Sequence, residues 1–485
     1  MTMISTRFET YWNYFSFAKT NPAYRNELFQ RVFCTACVDA AHIVNSITSP
    51  ENIESALENP VVFTDSTGVD DILIDEYHLE SSHSCTQSQE KIQMFKSIFE
   101  EHYSDIESLN PRPVVLENIN RMLSCGDPDK GGIMYACPDC QQHVRFSPFH
   151  CGSRFCPSCG NRYNIERAAA MECKIIDAPH MHLTFTIPEE LRIFMRYDRD
   201  TLNDLFAAVS DTLSYIASRI SAYEDYEPGF ITVLHTFGRD LKWNPHCHVL
   251  LCTRVFGNTK GNKNFFLPYP LLRKSFQKCL LDRLKKRFGP IFNRLASLIY
   301  KAHPLGFYVH APKKNVNTQA VIKYIGRYLG RPPIASSRID NYDGKCVTFH
   351  YTRHEDDRQV SETLPVLEFI KKLIVHIPDK FFKMVRYCGF YSSEGAHKAK
   401  ILKYKLKPKV APAQKKSIFN SNRWRSSLIR CFGTDPLKCP LCNAIMEPVY
   451  FSWKNGTHYY PNFARDFAQR IQLRFLLKNH NLSTA

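Results

Sequence analysis

Trp243–Cys252 reads WNPHCHVLLC. The stretch has strand character, and in a strand alternate side chains share a face. His246 and His248 therefore point the same way, with Cys247 opposite. Strand rise separates the two histidines by about 6–7 Å along the backbone, close enough for both imidazoles to converge on one metal ion. Val249, Leu250 and Leu251 carry the strand into a core. An HxH motif is only three residues long, and surface or core histidines produce the same pattern. Its surroundings decide what it means. HMHLTFTIP from His180 and GFITVLHTF from Gly229 read as two further strands, with β-branched and aromatic residues over four to eight positions. Helical spacing occupies Asp200–Ala222 between them and Pro268–Phe288 after the third strand. KCVTFHYT and a helix near Leu367–His376 follow. The expectation is an α+β fold: an antiparallel sheet with packed helices, HCH on a central strand, and a small zinc-binding module ahead of it.

A second pattern lies in VIKYIGRYLGRPPI, where Tyr324 and Tyr328 are four residues apart. The spacing around Thr318–Leu329 predicts a helix ended by Gly330 and Pro332, which puts both phenols on one face a turn apart. An aromatic stripe in a core has this spacing too. Lys323 and Arg327 interleave with the tyrosines, however, and Gly326 and Gly330 pack poorly. Two hydroxyls beside two cations suit phosphate chemistry.

The cysteines cluster as CxxC pairs at Cys34/Cys37, Cys137/Cys140, Cys156/Cys159 and Cys439/Cys442. In a large chain without a secretory pattern, that reads as metal binding rather than crosslinking. Cys137, Cys140, Cys156 and Cys159 form two knuckles separated by fifteen residues, a spacing that suits one tetrahedral, structural zinc. Pro138 and Pro157 favour the tight turns. Cys125, His150 and Cys151 lie near enough to substitute for a ligand or serve a second ion. Such a zinc would present Arg145, Arg154 and Arg162 to a nucleic acid. Cys439/Cys442 is half of a comparable site, which Cys431 or His458 could complete. Cys34/Cys37 sits in an apolar stretch and reads as core.

The net charge is +16 over 485 residues. It is unevenly spread: Glu51–Glu90 holds ten acids and no Lys or Arg, whereas Gly395–Arg430 holds eleven Lys or Arg and no acid. A basic body with a basic segment fits a polyanionic partner, and Trp424 among arginines could stack on an unpaired base. The same charges also suit two unrelated solvated segments. With 13% aromatic and 44% hydrophobic residues, global disorder is excluded. No stretch approaches eighteen consecutive apolar residues and the first residues lack a signal-peptide pattern, so the expectation is a cytoplasmic protein with no membrane span.

Taken together, these strings resemble the HUH endonuclease superfamily, and most closely its two-tyrosine, zinc-knuckle transposases of rolling-circle insertion sequences. The resemblance rests on CGSRFCPSCG, FTIP at Phe185–Pro188, LHTFGRDLKWNPHCH at Leu234–His248, YIGRYLGRPPI and EFIKKLIVHIPDKFFKMVRYCGFY at Glu368–Tyr391. It spans about Ser97–Ser393 and extends to the Cys439 knuckle. It implies a ferredoxin- or RRM-like core and cleavage of single-stranded DNA at the ends of a mobile element and its target. Tyr324 and Tyr328 would be nucleophiles forming a 5′-phosphotyrosine, and His246 and His248 would hold Mg²⁺ or Mn²⁺. His235, Asp240 and Asn244 are candidates for the third ligand, with His235 favoured because it lies in the preceding strand. A replication initiator or relaxase would share the metal and tyrosine, whereas a zinc-dependent DNA-binding regulator would need neither. The organisation expected is an N-terminal region (1–90), a helical lead-in and zinc knuckle (91–170), a catalytic domain (171–393), and a basic linker with the C-terminal CxxC segment (394–485).

Overall fold

Three strands with the expected alternation assemble the main sheet. β3 (His180–Thr186) and β4 (Phe230–Phe237) flank β5 (Trp243–Cys252), all antiparallel. β10 (Val385–Cys388) joins beyond β4 and β6 (Val309–His310) beyond β3, giving the order β10-β4-β5-β3-β6. The computed structural model describes residues 83–392 and 435–459, apart from 141–142, 221–227, 255–267, 312–332, 354–355 and 454–455, and also Arg425 and Ile429. Lys323, Tyr324, Arg327, Tyr328, Cys34, Cys37, Cys431, the acidic stretch up to residue 82 and nearly all of the basic segment lie outside the described residues.

One face of the sheet is a helix-covered core. Leu183 and Phe185 of β3, Phe230 and Leu234 of β4, and Cys247, Val249 and Leu251 of β5 are buried there. They pack against α5 (Glu189–Tyr197), α6 (Thr201–Ile220), α7 (Tyr269–Phe288) and α8 (Ile291–Ala302). α6 presents Leu202, Leu205, Phe206, Val209, Leu213 and Ile216 at helical spacing, which makes one continuous apolar stripe. α7 ends at Gly289, whose φ of 72° suits a residue without a Cβ.

The opposite face divides into a dry end and a polar end. At the dry end Ile231, Val233, Leu250 and Cys252 pack with Met171 of α4 (Pro157–Glu172) and with Phe390 and Tyr391. There the Tyr391 hydroxyl accepts from Ile176 N–H and bonds His180 Nε2 at 2.7 Å, while His180 Nδ1 reaches the Ala178 carbonyl at 2.7 Å. The polar end carries the histidines described below.

The helical lead-in forms α1 (His83–Glu101), α2 (Tyr103–Ser108) and α3 (Pro113–Leu123), interrupted at His102 and, between α2 and α3, at Pro111 and Pro113. Their apolar faces share a second core with the sheet β7 (Ile339–Tyr342), β8 (Cys346–Thr352), β9 (Gln359–Pro365) and with α9 (Val366–Ile374). A third sheet, in the order β12-β11-β1-β2, joins β1 (Gly132–Ala136) and β2 (Val144–Pro148) to β11 (Glu447–Trp453) and β12 (Gly456–Tyr459). Among the described residues, no helix is long and apolar enough to cross a membrane.

The β4–β5 turn is pinned between the first two cores. Leu241 adopts a left-handed φ of 63°, which costs a non-glycine residue about 1–2 kcal/mol. Burial of its side chain in the second core offsets this strain. The buried His376 donates from Nε2 to the Leu241 carbonyl at 3.0 Å and accepts from Thr236 Oγ1 at Nδ1, 3.1 Å away. Its ring lies almost parallel to Trp243.

Burial pushes the His376 pKa down to about 3. The folded state therefore binds this proton less readily than the unfolded chain, whose histidine titrates near 6.5. His376 favours folding fully above that pH, and its contribution falls as pH drops toward about 3, by up to about 1.4 kcal/mol per pH unit. Denaturant unfolding across this window should show a shallower acid dependence in His376→Gln than in the wild type.

Candidate functional site

At the polar end of the sheet, register brings three histidines together. His235 of β4 stands opposite His246 of β5, and His248 lies two residues further along the same face. One ring nitrogen from each lies within 4.8 Å of the others, and the ring centroids are 4.5–5.4 Å apart. His235 and His248 are buried and His246 is half-buried. Of the other candidates for a third ligand, Asp240 pairs with Lys242 at 3.0 Å and is not part of the cluster. Asn244 contributes its carbonyl, which His246 Nδ1 contacts at 2.7 Å.

The surroundings suit metal ligation. A ligand histidine works as the neutral imidazole, with its second nitrogen held by another group. Burial, reinforced by the neighbouring His235, His246 and His182, pushes the His248 pKa well below its usual value, so the ring stays neutral at neutral pH. Its Nδ1 lies 3.0 Å from His182 Nε2 and 3.3 Å from Thr184 Oγ1. His182 and Thr184 were not picked out as site residues. Their signal is the HMH of β3, which alternates just as HCH does one strand away. His182 is itself pushed down to about 4, mainly by burial. Lys323, Tyr324, Arg327 and Tyr328, expected to supply the nucleophiles and the cations beside them, lie outside the described residues.

The single zinc site expected from Cys137, Cys140, Cys156 and Cys159 is not what the fold builds. β1 and β2 form an antiparallel hairpin, with Ala136 opposite Val144 and Gly132 opposite Pro148. Cys137 and Cys140 lie at its turn, whereas the chain leaving β2 returns to the other end, where Cys125 lies before β1. A five-residue strand spans about 17 Å, so the two knuckles cannot share an ion. Cys156 and Cys159, at the start of α4, instead join Cys125 and Cys151, with all four sulfurs within 4.8 Å. Cys159 Sγ lies 3.6 Å from both Cys125 Sγ and Cys151 Sγ. Hydrogen bonds, first between Cys125 and Cys151, hold the Cys125 thiol well below its usual pKa and push Cys151 above it. A zinc ion held there would take all four as thiolates. His150 approaches Cys125 at 3.7 Å but is not one of the four. Cys137 and Cys140 lie beside Cys439 and Cys442.

Of the three arginines expected to face a nucleic acid, Arg145 is exposed and Arg162 partly so, while Arg154 is withdrawn from the surface. Arg145 donates to the Pro436 carbonyl, Arg162 pairs with Glu166, and Arg154 is desolvated with its guanidinium over the Tyr163 ring.

Comparison with known proteins places both centres in described families. Residues 98–187 match the family described as transposase zinc-binding domain, and residues 229–399 match that described as putative transposase. The transposase for insertion sequence element IS801 of Pseudomonas savastanoi pv. phaseolicola is 29% identical over 354 residues, covering 69% of this chain and 83% of its own. Putative transposase y4qJ of Sinorhizobium fredii is 28% identical over 284 residues, covering 54% of this chain and 70% of its own. No solved structure matches the chain.

Replacing Cys156 and Cys159 together by serine should lower bound zinc by about one ion per chain, read by elemental analysis. The pair His246→Ala and His248→Ala should leave the cysteine-bound zinc in place.

Proposed function

The chain belongs to the IS91-type family of insertion-sequence transposases, and on that premise we propose that it cleaves and rejoins single-stranded DNA through a covalent tyrosine intermediate, in rolling-circle transposition. A transposase is a DNA-cleaving and strand-transfer enzyme, which leaves no place for the non-catalytic regulator. Its DNA partner is the insertion sequence. The observation that carries the finer reading is the cluster of His235, His246 and His248 within 4.8 Å. Three imidazoles, one of them kept neutral by burial, make a donor set that fits a divalent cation. Mn²⁺ matches nitrogen donors better, and Mg²⁺ is the alternative. When bound, the ion would polarise the scissile phosphate and stabilise charge developing on its oxygens.

The remaining work falls to the chain's own groups. His235, His246 and His248 would hold the ion against the sheet, with Asn244 and His182 fixing the ring orientations. Tyr324 or Tyr328 would attack phosphorus as the bond to the 3′-oxygen breaks. The phenol gives up its proton, and the departing oxygen leaves as a 3′-hydroxyl. A phenol of pKa about 10 is a weak nucleophile at neutral pH, so neutralisation of the flanking phosphates by Lys323 and Arg327 would favour the attack. The new phosphotyrosine ester retains the energy of the broken bond. A free 3′-hydroxyl can therefore reverse the step and join strands without a nucleotide cofactor. A second tyrosine allows another cleavage while the first remains esterified.

Incubation with single-stranded DNA carrying the element's end and Mn²⁺ should give a protein–DNA adduct stable to denaturation. The Tyr324→Phe/Tyr328→Phe double variant should give none, and adduct equal to wild type would remove the tyrosines from the mechanism. His246→Ala with His248→Ala should abolish cleavage.

The contact between His182 and His248 leads to a subtler expectation. His182→Ala should raise the Mn²⁺ concentration needed for half-maximal cleavage about tenfold. An unchanged requirement would mean that His182 only packs beside the cluster.

A further inference from the structure

We infer that Cys137, Cys140, Cys439 and Cys442 hold a second zinc ion, which clasps the C-terminal part of the chain onto the N-terminal module. The Cys439 and Cys442 half of this site lies beyond both family matches, which end at residues 187 and 399. Its four sulfurs all lie within 4.8 Å of one another. Cys137 Sγ is 3.2 Å from Cys442 Sγ, and Cys140 Sγ is 3.8 Å from Cys439 Sγ. Metal–sulfur bonds of about 2.3 Å in a tetrahedron set sulfurs about 3.8 Å apart. A disulfide needs about 2.05 Å.

The backbone brings the two halves together independently of the thiols. β1 pairs with β11, and Ala136, the last residue of β1, faces Glu447, the first of β11. The knuckle that follows β1 and the knuckle that precedes β11 must therefore hang from the same end of the sheet. In each knuckle the first cysteine's N–H is bonded to a backbone carbonyl further along the chain. Cys137 N–H donates to the His143 carbonyl at 3.0 Å, and Cys439 N–H to the Ala444 carbonyl at 2.8 Å. Asn443 completes the second turn with a left-handed φ of 62° and donates its N–H to the Cys439 carbonyl. Beneath the sulfurs, Tyr135, Met446, Ile133 and Leu437 form a small apolar base. So little buried surface holds a hairpin weakly without a crosslink or a metal. Four thiolates with no other donor select a soft, tetrahedral ion and leave no position open for substrate, so this ion is structural.

The test counts metal and does not depend on DNA cleavage. Full-length protein purified with zinc and desalted should carry about two cysteine-bound zinc ions per chain by elemental analysis with protein quantitation. The native cysteine set and every cysteine variant are counted in the His246→Ala/His248→Ala background, so that the histidine cluster adds none. Cys439→Ser/Cys442→Ser should carry about one. Cys442→His, at an exposed position, keeps a ligand and should retain two. Should the serine pair fold poorly, Cys442→Ala alone, checked by circular dichroism, should weaken retention of one ion against a chelator while the other stays bound. One zinc in the folded protein with its native cysteines overturns the inference. So do an unchanged zinc content in the serine pair and a Cys137–Cys442 disulfide found by mass spectrometry of protein kept under reducing conditions. Failure of the adduct assay would leave the zinc count untouched, so the two readings fail separately.

Discussion

The histidine cluster depends on the antiparallel pairing of β4 with β5, in which His235 stands opposite His246. A one-residue slip would turn His246 and His248 into the helix-covered core and send Cys247 to the polar face. Two features oppose that slip. Leu234, Cys247 and Val249 are buried beneath the helices, and the turn between the strands is held by Leu241 and His376. The second core, built from segments distant in sequence, thus sets the register at the edge of the first. Burial that serves folding in one core tunes chemistry in the other.

Desolvation also acts differently at the two kinds of centre. Around His248 it favours the neutral ring, which is already the ligating form. Around the cysteines it opposes the thiolate form that a metal requires, and only the ion's own charge offsets that cost. His248 can therefore persist in its ligating form before any ion arrives. Four adjacent thiols cannot all ionise without a partner.

Much of the main sheet was legible because a period of two is a local property. His246, Cys247 and His248 announce a strand with one polar and one apolar side, and the helices Thr201–Ile220 and Tyr269–Phe288 announce themselves by spacing. His235 could be named for the same reason, lying one hairpin away. The α+β class followed from these elements. The grouping of the cysteines was not legible, because fifteen residues between two knuckles look like one loop until β2 is seen to run back along β1. Cys125 and Cys151 were noticed as neighbours, but no local pattern separates a ligand from a bystander. β11 follows a stretch rich in lysine and arginine, and nothing nearby in sequence indicates that its partner is Gly132–Ala136. His182 shows the same limit: its strand could be read, but its contact with His248 depends on which strand lies next to which.

The order of strands in the small sheet also has a consequence for synthesis. β1 and β2 leave the ribosome early, yet the other edge of β1 is completed only by β11, which emerges after the whole main sheet has been translated. Until then β1 exposes a row of unpaired backbone groups, and Cys137 and Cys140 lack the neighbours they have in the finished fold. An exposed edge is open to pairing with other chains. A nascent or prematurely terminated product would therefore carry an adhesive strand at its N-terminal module, and late closure ties completion of that module to completion of translation. For a protein that cuts DNA, this ordering disfavours partial products that are folded throughout.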